Sequence, residues 1–155
     1  MGTLLGLLAA LLLTLATGWF VAAEFAYVAA RRGLLDEQAH AGDRRAARAA
    51  GLMRRLRVVL SGAQLGITVT TLALGYIAEP AIGGALEPLL GENRRGLTAA
   101  LAFLIATAAS MVIGELAPKN LAIAKPESLA RRLAPGVSLY MTIFGPLIKL
   151  SLIHI

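Results

Sequence analysis

Three stretches without a charged side chain, residues 1–23, 58–78 and 96–114, constrain this 155-residue chain more than any other feature. A bilayer's hydrocarbon core takes about 20 apolar residues in a helix, so each stretch is long enough to cross it. A fourth stretch, residues 133–148, is shorter and holds Pro135, Gly136, Gly145 and Pro146, each an expected break or bend. Composition agrees with membrane residence, because 57% of residues are hydrophobic and 15% charged, against about 25% charged in a soluble domain. The lack of cysteine excludes disulfide frameworks, zinc ribbons and thiol catalysis. The chain therefore reads as an all-α membrane protein forming a single transmembrane domain over residues 1–155, with membrane helices at about 3–30, 58–78 and 96–117.

Charge sets the expected orientation. Residues 31–57 hold eight arginines against Asp36, Glu37 and Asp43, a net +5, whereas residues 79–95 carry −1 and residues 119–132 carry +3. By the positive-inside rule the first and third loops are cytoplasmic, the amino terminus is outside and the carboxyl terminus inside. Met1-Gly2-Thr3 offers no basic residue to start a cleaved signal peptide, so the first helix reads as retained. The basic loop 31–57 reads either as a solvated charge run or as short amphipathic cytoplasmic helices, one capped by Asp43 with Ala49, Leu52, Met53 and Leu56 on one face. The fourth stretch, extended to about 127–155, fits a juxtamembrane belt helix anchored by Arg131 and Arg132. The net charge of +6 clusters beside apolar stretches, which makes membrane lipid the partner and nucleic acid none. Glu79-Pro80 and Glu87-Pro88 read as turns of the outer loop, or else as an acidic exit mouth. His40 and His154 are isolated, and no Ser-His-Asp, metalloprotease or P-loop pattern occurs, so the chain does not read as an enzyme. Richness in Ala and Arg points to a bacterial genome of high G+C content, and so to an inner (plasma) membrane, multi-pass protein.

Polar residues inside the apolar runs carry the chemistry. In the second run Ser61, Gln64, Thr68, Thr71 and Gly75 recur at spacings of 3, 4, 3 and 4, within an arc of roughly 80° on a helix. Polar groups are costly against lipid, so this stripe is expected to meet other helices or a wet cavity, with Gly66 permitting close approach. Helix-to-helix glue is the plainer alternative. The third run closes on Ser110, Gly114, Glu115, Pro118 and Lys119. Pro118 has no N–H to return to the Gly114 carbonyl, which is then left free beside the Glu115 carboxylate with Ser110 one turn back. Carbonyl, hydroxyl and carboxylate are hard oxygen donors suited to Mg2+ or Na+. Alternatively, Glu115 pairs with Lys119 and Pro118 merely ends the helix. Glu24 is a second intramembrane carboxylate, expected to need a cation, a proton, water or a loop arginine. Both carboxylates fall near cytoplasmic helix ends, which favours a cation site facing the cytoplasm.

Ala23-Glu24-Phe25-Ala26 with Ala30-Arg31-Arg32, Leu60-Ser61 with Gln64-Leu65-Gly66-Ile67-Thr68, and above all Gly114-Glu115-Leu116-Ala117-Pro118-Lys119 resemble the transmembrane domain of the CNNM/CorC family of magnesium transport proteins. The resemblance covers nearly the whole chain. It implies a homodimer with three membrane helices per subunit, short cytoplasmic helices and a juxtamembrane belt. In full-length members cytoplasmic CBS modules follow, and this chain stops before them. It further implies export of Mg2+ from the cytoplasm, coupled to Na+ entry, through a dehydrated ion held by Glu24, Thr68, Thr71, Ser110, the Gly114 carbonyl and Glu115. Ser61, Gln64, Gly66, Pro118 and Lys119 support that site. Where members commonly carry serine this chain has Ala22 or Ala23, and where many carry asparagine it has Thr71 or Ile67. A membrane magnesium sensor or anchor that regulates partner proteins without transport is the competing implication.

Overall fold

A computed structural model describes residues 2–91 and 94–153, so Glu92 and His154 lie outside the described residues. The elements are α1 (Gly2–Ala29), α2 (Arg32–His40), α3 (Arg44–Met53), α4 (Leu56–Leu90), α5 (Arg95–Ala109), a π-helical segment (Ser110–Leu116), α6 (Ala117–Ala124) and α7 (Pro126–Ile153). No strand occurs among the described residues. Among the described residues three helices are long and apolar enough to cross a membrane: Gly2–Ala29, Leu56–Leu90 and Arg95–Ala124. The chain is an all-α membrane protein.

Several boundaries differ from the sequence expectation, each for a local reason. The second membrane helix does not end near residue 78 but continues to Leu90, so Glu79-Pro80 and Glu87-Pro88 are helical and form no turns. Proline is tolerated inside membrane helices because other groups take up the freed carbonyl. Gly91 stops α4 instead: it holds φ +81°, the left-handed conformation of a helix C-terminal cap, and its N–H donates to the Glu87 carbonyl. The third membrane helix likewise does not end at 117. It widens into the π segment and runs on through Pro118 to Ala124, as membrane helices carry internal prolines. The fourth stretch is not broken at its prolines either, since α7 is continuous from Pro126 to Ile153 through Pro135 and Pro146.

The loop between the first two membrane helices folds as the two short helices α2 and α3. Asp43 caps α3, its Oδ1 accepting from the Arg45 and Ala46 N–H groups at 2.8 and 3.1 Å. Ala46, Ala49, Ala50 and Leu52 form the buried face of α3.

Contacts divide the chain into two units. The first contains residues 1–19 and 67–117. Its small core is Ala10, Leu74 and Ala78 with Leu13, Ile82 and Ala106 against them. Small residues let these helices approach closely, and a Cβ placed on Gly6 would lie 2.8 Å from that of Ala81. Thr17, fully buried, donates to the Leu13 carbonyl at 2.9 Å, which leaves its oxygen to accept from the Thr70 hydroxyl at 2.8 Å.

The second unit contains residues 20–66 and 118–155. The buried Tyr27 hydroxyl donates to the Ala130 carbonyl at 3.2 Å, and the Tyr140 hydroxyl donates to the Gly62 carbonyl at 3.0 Å. Phe20 meets Tyr140 edge to face at 5.0 Å between ring centroids. Two ion pairs tie the polar end of this unit, Arg31 to Glu127 at 3.0 Å and Arg131 to Asp43 at 2.7 Å.

Candidate functional site

The π segment is where α5 departs from regular geometry. The Ala117 N–H reaches back five residues to the Val112 carbonyl, so the turn holds one extra residue. The next residue is Pro118, which has no N–H to offer the Ile113 carbonyl in the wide register or the Gly114 carbonyl in the ordinary one. One backbone carbonyl at this turn is therefore left without its helical donor. Gly114 is buried, and a Cβ there would stand 3.7 Å from the Ser110 Oγ and from the Thr14 carbonyl.

Beside this turn, in the first unit, α4 and α5 enclose an open cleft of about 430 Å³. Thr71, Gly75 and Glu79 line it from α4, and Thr107, Ser110 and Glu115 line it from α5 and the π segment. Its polar atoms are carboxylate and hydroxyl oxygens. Among the described residues no group of three or more His, Cys, Asp or Glu could hold a metal. A cation in this cleft would therefore draw on hydroxyls, carbonyls and water beside a carboxylate, the mixture that a hard ion such as Mg2+ accepts.

The expected site residues are only partly brought together. Thr71, Ser110 and Glu115 share the cleft, with Gly114 behind Ser110. Thr68 lies on α4 in the same unit, exposed and outside the cleft lining. Glu24, Ser61, Gln64, Gly66, Pro118 and Lys119 belong to the second unit. Glu24 is half-buried there and enters no ion pair among the described residues. Lys119 stands over the Phe25 ring, 4.7 Å from its centroid. Gly66 is a packing position, because a Cβ there would run into the Phe20 ring.

Sequence reasoning missed Thr14, Thr17, Thr70, Thr107 and Glu79. Thr14 and Thr17 had a legible signal, as hydroxyl residues three apart in the middle of the first apolar run. Glu79 had one too, since it extends the Thr71 and Gly75 spacing by four more residues along α4. Assigning it to a loop hid that relation.

A multi-pass helical domain with a polar cleft between two membrane helices is the class these features define. A family model described as the cyclin M transmembrane N-terminal domain matches residues 7–154, and the chain belongs to that family, CNNM. The chain is 42% identical to UPF0053 protein MT1890 of Mycobacterium tuberculosis, over 96% of this chain and 34% of that protein. It is 38% identical to UPF0053 protein YhdT of Bacillus subtilis, over 94% and 32% respectively. A cyanobacterial relative, UPF0053 protein sll0260 of Synechocystis, is 32% identical over 89% and 32%. The chain thus spans about a third of the length of these relatives.

Proposed function

We propose that this domain moves Mg2+ out of the cytoplasm, coupled to Na+ entry, through a partly dehydrated ion held in the cleft between α4 and the π segment. The observation that carries the reading is the convergence of Thr71, Ser110 and Glu115 on one cleft, at a turn where Pro118 withholds a backbone donor. Mg2+ takes six oxygens at about 2.0 to 2.1 Å and keeps several waters, so two hydroxyls, a carbonyl and a carboxylate are a sufficient protein contribution. Thr68, on α4 in the same unit, is a further ligand in this reading, engaged when α4 moves. Membership of a transmembrane-domain family supports a transport-related role. In the working protein the domain acts as a homodimer in the inner membrane, with the amino terminus outside and the basic helices and carboxyl terminus in the cytoplasm. Cytoplasmic CBS modules complete the longer chain.

The test is thermal stabilisation of the purified protein by Mg2+, Ca2+ and Na+, followed by flux in liposomes. Saturation at a hundredfold over Kd stabilises the folded state by about 2.7 kcal/mol. Mg2+ is expected to stabilise selectively, and Ser110→Ala, Thr71→Ala and Glu115→Gln to abolish the effect while lipid-facing Leu72→Ala does not. Equal behaviour of all four variants sinks the site. Selective stabilisation without Mg2+ flux would identify a sensor or anchor instead of a transporter.

A further inference from the structure

Apart from ion handling, we propose that the second unit holds a selective site for an anionic phospholipid, with the lipid phosphate on Arg55 and an acyl chain in the apolar notch beside it. The notch has a volume of about 360 Å³ and lies between the α3–α4 junction and α7. Leu52, Val58, Val59, Met141 and Pro146 form its apolar walls, and Arg55 is the one charged residue lining it.

The sequence of α7 explains the gap. Met141 packs against α4 at Gly62, where even a Cβ would collide with it, and the Tyr140 hydroxyl donates to the Gly62 carbonyl at 3.0 Å. These contacts hold the two helices together at one level. One turn further along, Gly145 presents no side chain, and a Cβ built there meets nothing within 4 Å. Pro146 returns no N–H to the Thr142 carbonyl, four residues back, so that end of the notch also has a polar edge.

Charge selects the occupant. Asp36 is taken by Arg32 at 3.5 Å and Arg54 at 4.0 Å, and Asp43 is taken by Arg131. Among the described residues Arg55 enters no ion pair, and neither do Arg44, Arg45, Arg48 and Arg57. Arg55 and Arg57 immediately precede the charge-free stretch that begins at Val58. The notch therefore straddles the level at which headgroups give way to acyl chains. An unpaired guanidinium above apolar walls at that depth matches an amphiphile with a negative head, and each such basic group favours anionic over neutral lipid by about fivefold.

Native mass spectrometry of the purified protein with equimolar phosphatidylglycerol and phosphatidylcholine of identical acyl chains tests this. Phosphatidylglycerol adducts are expected to exceed phosphatidylcholine adducts about fivefold, to fall to parity in Arg55→Gln and to persist in Arg55→Lys. Gly145→Leu keeps every charge but fills the notch, and should lose the retained lipid. Arg57→Gln removes the same charge outside the notch and should keep the preference. Equal adducts of both lipids on the native protein, or the same loss from Arg57→Gln as from Arg55→Gln, overturns the site in favour of diffuse surface charge. Exclusion of lipid from a dimer that Gly145→Leu dissociates would overturn it in favour of a second copy of the chain.

Discussion

Single polar side chains decide where these helices touch. Thr17 and Thr70 form a hydrogen bond between α1 and α4 in the first unit, and Thr17 is fully buried. Such bonds in membrane proteins contribute about 0.6 kcal/mol, rising to about 1.7. Thr17→Val should lower unfolding stability in detergent by that much, and a double-mutant cycle with Thr70→Val should return a coupling of the same size. Zero coupling would mean that the pair is incidental. Asp43 acts at the polar end of the second unit, where the Ala46 N–H first, and then the Arg131 guanidinium, hold its carboxyl below the usual range. A carboxyl lowered in the folded state stabilises fully above its unfolded pKa and loses that contribution as pH falls through the lower folded value. The melting temperatures of the native protein and Asp43→Ala should therefore differ at neutral pH and converge below about pH 4. A constant gap across that range would exclude the carboxylate as the cause. At this scale residue type and spacing singled out Ser110, Gly114 and Glu115, and the structure puts Ser110 and Glu115 on the cleft lining with Gly114 next to Ser110. Thr107 was not singled out, because a lone hydroxyl in an apolar run can bond back to its own helix, as Thr14 does on the Ala10 carbonyl at 2.8 Å.

At the scale of elements, the same residue type has opposite meanings on one helix. Gly66 and Gly75 both lie on α4, yet a Cβ on Gly66 would enter the Phe20 ring and one on Gly75 would meet nothing within 4 Å. Gly66→Ala should destabilise by about 1 to 3 kcal/mol through overpacking, with recovery on adding Phe20→Leu. Gly75→Ala should be neutral or stabilise by up to about 1 kcal/mol through helix propensity. Thermal unfolding of the three variants checks this, and equal losses at both glycines would refute the packing assignment. Existence and type of the long helices followed from apolar run length, but their ends did not. Four internal prolines, Pro80 and Pro88 in α4 and Pro135 and Pro146 in α7, stay helical where sequence reasoning expected turns or breaks. Proline removes one donor, which a long apolar helix tolerates when its neighbours and its length hold it in place. The π segment had no sequence signature beyond Gly114 and Pro118. A wide turn is a negotiation between the missing Pro118 donor and the packing of Gly114 against Thr14, and that neighbour comes from 100 residues away in sequence.

For the whole molecule, membrane orientation is the property most directly open to test. The chain has no cysteine, so one introduced thiol is an unambiguous reporter. His40→Cys, at the end of α2, should react with a membrane-impermeant maleimide only after permeabilisation, and Leu89→Cys, exposed at the far end of α4, should react in intact cells. The reverse pattern would invert the proposed cytoplasmic face and with it the proposed direction of transport. Sequence by itself determined that the chain is an all-α membrane protein, where its apolar runs lie, and which family it belongs to. These follow from run length, charge balance and contiguous motifs, all of which are local along the chain. Only the tertiary structure decided which polar residues meet. It placed Thr71, Ser110 and Glu115 on one cleft, added Glu79 and Thr107, and assigned Gly66 to packing. The reason is geometric: periodicity names a helix face, but what that face meets depends on partners far away in sequence, and on whether a proline ends a helix or is carried through it.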